Sequence, residues 1–93
     1  MASDVSDVWR KCFENWPADI DRRGVVVTSF NEQIQFEGFS TNSDLLLVER
    51  RTPDTVGARL VLIPYQNIEA VKITDVVKMK SFQPMGFTSP PPR

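Results

Sequence analysis

Apolar residues in the first part of the chain recur at helical spacing. Val5, Val8, Trp9, Cys12, Phe13 and Trp16 fall three and four residues apart and draw one stripe along a helix. Ser3 or Asp4 is placed to cap that helix, and Pro17 closes it, because a residue preceding proline is disfavoured in helical geometry. This puts Trp16 in the last turn. A helix this short is marginal alone in water, so its stripe, with Cys12 as a small core residue, is predicted to lie as a lid on whatever follows.

From residue 25 the period changes. Val25-Val26-Val27-Thr28 is β-branched and predicts a strand reaching about Phe30, with a tight turn at Asn31-Glu32. Gln33, Gln35 and Glu37 then alternate with Ile34 and Phe36, the two-residue repeat of a half-buried second strand, and Gly38 marks a bend in it. Ser40 to Ser43 reads as a polar loop. Leu45 to Val48 is apolar on both parities, which predicts a third strand covered on both faces, one of them by the helix. The proline, aspartate and glycine between Arg50 and Gly57 form a loop leading to a fourth strand, Arg59 to Ile63. Pro64 has no N–H for a central ladder and ends that strand; Tyr65-Gln66 turns a corner and Asn67-Ile68 opens a fifth, with a bulge near Glu69-Ala70. Beyond Asp75 the pattern fades, and Pro90-Pro91-Pro92 predicts an extended tail.

The 93 residues suffice for one hydrophobic core. The expected organisation is a helix over 1–17, a β-barrel over 22–75 and an extended, Pro-rich tail over 76–93. No apolar run approaches the roughly 20 residues of a membrane helix. The acidic start MASDVSDVW lacks the features of a secretory signal, so the expected location is cytoplasmic. One cysteine excludes an internal disulfide. The absence of histidine excludes the common zinc sites, and no metal or cofactor is expected. Net charge is −1 and the pI about 5.3, which argues against clamping nucleic acid by bulk charge.

One helix followed by five short, strongly bent strands predicts a mainly β fold: an N-terminal α-helix and a small, five-stranded, open antiparallel barrel of the SH3-like type. Gly38 in the bent second strand, and Ile63 followed by Asn67-Ile68 at the last corner, resemble an Sm-like (LSm) domain. The chain departs from that pattern in two places. Pro64 and Tyr65 stand where the family often has Arg-Gly, and Thr41-Asn42-Ser43-Asp44 occupies the loop where the family's RNA-binding Asp and Asn stand.

The resemblance implies a ring in which the fourth and fifth strands of neighbouring copies pair. Leu60, Leu62, Ile63, Ile68, Val71 and Ile73 would form that self-association edge. Independently, an open barrel leaves two unpaired edges that one repeated heterologous contact satisfies. The resemblance also implies single-stranded RNA as a partner. In chemical terms Tyr65 is the candidate to stack a base, Asn42, Gln66 and Asn67 to bond its edge, and Arg50, Arg51 or Arg59 to meet phosphate, with Asp44 on the same inner rim. The alternative is the same barrel as a protein-interaction or scaffold module with no nucleic-acid role, a reading that the acidic pI and the missing motif residues favour. Catalysis is not expected, since no acid, base or nucleophile has a recognisable partner at a recognisable spacing, and the glycines stand singly rather than in a phosphate loop. A cyclic-dinucleotide barrel is disfavoured because no glycine follows Asn42-Ser43 at the needed place.

Overall fold

A computed structural model describes residues 4–88. Helix α1 spans Val5–Glu14, and Asp4 caps it by accepting the Asp7 N–H at 2.9 Å; Ser3 lies outside the described residues. The helix stops two residues earlier than expected. Asn15 forms the C-cap, its Nδ2 donating to the Lys11 carbonyl at 2.8 Å, and Trp16 stands beyond the last turn with its indole N–H donating to the Ile20 carbonyl at 3.0 Å.

Six strands follow: β1 Gly24–Thr28, β2 Gln33–Phe36, β3 Gly38–Thr41, β4 Leu45–Glu49, β5 Leu60–Pro64 and β6 Ile68–Lys72. They form two three-stranded antiparallel sheets, ordered β2-β1-β6 and β3-β4-β5. The expected second strand is thus interrupted at Glu37, one residue ahead of Gly38, and its two halves belong to different sheets. Ser40 and Thr41, expected in a loop, pair with Leu47 and Leu46. The close backbone approach falls elsewhere. A Cβ at Gly24 would run into the Lys72 carbonyl oxygen, whereas one at Gly38 would meet only the movable Glu49 side chain.

Alternation along the strands explains the core. Val26, Ile34, Phe36, Leu46, Val48, Ile63 and Ile68 point inward and are buried, joined by Phe13 from α1 and by Tyr65. Phe39 links helix to sheet, with its ring 5.0 Å from Phe13 and 5.1 Å from Trp16, both edge-on. The Arg22 guanidinium lies over the Phe39 ring, 4.7 Å from its centroid. The helix therefore packs on β3 and on the 3₁₀ turn Tyr65–Asn67. It does so instead of covering the outer face of β4, where Leu45 and Leu47 remain half-exposed.

Between Val27 and Thr28 the register with β6 shifts, from Val27↔Ala70 to Thr28↔Ile68, so Glu69 is the extra residue of a bulge. The segment expected to be extended after Asp75 contains a 3₁₀ helix at Met79–Met85, ended by Gly86 at φ +98°. Proline fits this because Pro84 sits where the missing N–H breaks only a short, irregular run. The expected proline run 90–92 lies outside the described residues. Among the described residues no helix is long and apolar enough to cross a membrane.

Candidate functional site

The two outer strands β5 and β6 are consecutive in sequence and separated only by the 3₁₀ turn Tyr65–Asn67. Each is five residues long, and among the described residues each pairs on one side alone, β5 with β4 and β6 with β1. On the other side of each, no strand partner lies among the described residues.

The six expected edge residues divide by parity. Ile63 and Ile68 face the core at 2% and 3% exposure, and Val71 and Ile73 are half-buried, Ile73 lying just past the end of β6. Leu60 and Leu62 point outward at 59% and 61% exposure. Opposite them on β4 stand Glu49 and Leu47, and Leu45 stands opposite Pro64. The result is an apolar strip of Leu45, Leu47, Leu62 and Leu60 running to the free edge. Leu45 and Leu47, on the strand face expected beneath the helix, are only half-buried.

The eight candidate RNA contacts are not gathered in one place. Tyr65 is fully buried, its hydroxyl donating to the Asn42 carbonyl at 3.1 Å. It offers no face to a base, which corrects its expected stacking role: the ring fills the space beneath α1 that a glycine at this corner would leave empty. Burial raises the Tyr65 pKa, with Glu14 adding to the rise. Asn42 uses its Oδ1 to accept the N–H groups of Asp44 and Leu45 at 2.8 and 2.7 Å, the local turn chemistry that shapes the β3–β4 loop. Asp44 is exposed and accepts the Ser43 hydroxyl. Gln66 is exposed, and Asn67 is half-buried with its carbonyl accepting the Ser29 N–H at 2.8 Å.

These amide and acid groups lie at one end of β4, where Leu45 meets Pro64. Arg50 and Arg51 follow the other end, past Glu49. Five residues of strand separate the two groups by about 17 Å. Arg50 is partly occupied, its Nε donating to the Thr52 carbonyl at 3.2 Å, and its N–H donates to the carbonyl of Arg59 at the same end. The adjoining loop is organised by Asp54, whose Oδ1 accepts the N–H groups of Val56 and Ala58, both at 2.9 Å. Those backbone donors, that of Ala58 foremost, hold the Asp54 carboxyl below its ordinary pKa, with Arg50 assisting. The base-edge candidates and the phosphate candidates therefore belong to opposite ends of one sheet.

Compared with known proteins, the chain matches no family model, and no curated protein or solved structure matches it.

Proposed function

We propose that this chain is a non-enzymatic assembly module of the Sm-like type, which joins copies of itself by pairing β5 of one copy with β6 of the next. The observation that carries this reading is the pair of free edges, one of them bearing Leu60 and Leu62 in solvent. β2 and β3, interrupted by Glu37 alone, act as a single bent strand. The strand order is then β6-β1-β2/β3-β4-β5, a five-stranded open barrel whose first and last members are the edges. One heterologous contact repeated around an axis satisfies both edges and covers the leucines, whereas an isolated copy leaves both open. Protein, rather than RNA, is the partner that these surfaces favour: the base-stacking candidate is buried, and the arginines stand at the far end from Asn42, Gln66 and Asn67.

The test is the native mass of tag-free protein by light scattering across a concentration series, with absorbance at 260 and 280 nm before and after nuclease. A closed oligomer free of nucleic acid is expected. A monomer at every concentration overturns the assembly reading. A closed oligomer that releases nucleic acid on nuclease treatment returns the amide-lined end of the sheet to the centre of the argument.

A further inference from the structure

Helix α1 seats one face on the core and leaves a neighbouring, mixed face beside it. Trp9, Phe13 and Trp16, at i, i+4 and i+7, pack on the sheets. Val8, Lys11, Cys12 and Asn15, at i, i+3, i+4 and i+7, share a neighbouring face and line a cleft of about 650 Å³ together with Trp9. The far wall of the cleft is Pro84, Met85 and Phe87. That wall is a folded strap. The Ser81 hydroxyl donates to the Asp19 carboxylate at 2.9 Å, Phe82 and Phe87 meet edge-on at 6.5 Å, and the left-handed turn at Gly86 brings Phe87 round.

The volume lies within the ~300–1,000 Å³ typical of small-molecule sites. Both walls are largely apolar, and Val8 and Phe87 remain 54% and 61% exposed. The one charged group on the lining is Lys11, which makes no ion pair among the described residues. Beside it Cys12 is neutral, since burial pushes its thiol pKa up. A slot with apolar walls and a single cation at its rim is complementary to an anion with an apolar tail. We propose that the cleft between α1 and the 79–87 strap binds a monomeric single-chain amphiphile with a carboxylate head, of the fatty-acid class, with the head at Lys11 and the chain between Trp9, Cys12 and Met85. None of the residues lining this cleft belongs to β5 or β6.

Trp9 lines the cleft and reports on it directly, while Trp16 is tied to the Ile20 carbonyl away from it. The experiment is a titration of the full chain with octanoate, decanoate and dodecanoate, each kept below its micellar concentration, followed by tryptophan fluorescence and by calorimetry. Saturable binding is expected, tightening roughly fourfold per buried methylene. Decanol should bind a few-fold more weakly than decanoate. Lys11→Gln should remove that difference while leaving decanol binding unchanged, and Val8→Glu, at an exposed position that folding tolerates, should weaken every member of the series. The proposal is overturned by an absence of saturable binding, by decanol matching decanoate on the native chain, or by decanoate binding that survives both substitutions.

Discussion

The Tyr65 hydroxyl donates to the Asn42 carbonyl at 3.1 Å, across 23 residues of sequence, and so ties the corner between β5 and β6 to the loop between β3 and β4. The bond closes the end of the second sheet beneath α1. It also makes a prediction that one spectrum can check, because Tyr65 is the sole tyrosine. Its pKa is raised by burial first and by Glu14 second. A raised folded-state pKa means stability that is complete below the unfolded value of about 10 and is lost as pH climbs through the folded value. Phenolate absorbance should therefore appear at higher pH in the folded chain than in urea, and unfolding should become easier over the same alkaline window.

Tyr65→Phe should flatten that alkaline loss. Near neutral pH it should cost about 1 kcal/mol in urea unfolding, because the ring stays and only the hydrogen bond goes, leaving the Asn42 carbonyl to water. Tyr65→Ala should cost about 3–5 kcal/mol by leaving a cavity under the helix. A chain indifferent to Tyr65→Ala would contradict the buried position of the ring.

At the opposite end of the sheet, Asp54 provides the acid-side counterpart. Its carboxylate accepts the N–H groups of Val56 and Ala58 and its pKa is lowered. Stability from a lowered pKa is present above the unfolded value and disappears as pH falls through the folded one. Asp54→Asn should make the 50–59 loop exchange its amide hydrogens faster at neutral pH, and should shrink the difference between neutral and acidic conditions seen in the native chain. Equal exchange at Val56 and Ala58 in both proteins would remove Asp54 from its organising role.

Much of this architecture is legible in the residues, for reasons that also explain the misreadings. Parity places Ile34 and Phe36 inside, and Pro64 marks the end of β5, because both signals act within a few residues of chain. The bulge at Glu69 was legible in the broken alternation around it. The tasks of Gly24 and Gly38 were not, since a close approach depends on what lies across the sheet, and Lys72 is far away in sequence. Tyr65 was misread for a related reason: a tyrosine at a turn is exposed by local rules, and only the long-range seating of α1 on that turn buries it. The same seating left Leu45 and Leu47 uncovered.

Gly24→Ala is the sharpest test of the β1–β6 contact. The added methyl would strike the Lys72 carbonyl oxygen, which is backbone and cannot rotate away. The strands would have to separate at the end of β1, at a cost of roughly 1–3 kcal/mol. Gly38→Ala should be milder, because the Glu49 side chain near its position can move. Thermal unfolding of the two variants should rank them in that order, and the reverse order would relocate the tight approach to the bend.

Leu62→Lys separates folding from assembly. Leu62 is 61% exposed on β5, so its replacement removes no core contact and should change the stability of an isolated copy by no more than about 0.5 kcal/mol. A charged side chain on an edge strand opposes pairing with another strand, and here it would stand beside Leu47 in the strip that assembly is proposed to cover. Light scattering should show the native oligomer replaced by smaller species, with circular dichroism unchanged. Arg51→Ala, at the far end of the sheet and outside both edges, should leave the mass as it was. An oligomer untouched by Leu62→Lys would mean that the copies meet through some other surface, and the free edge of β5 would then need a partner of a different kind.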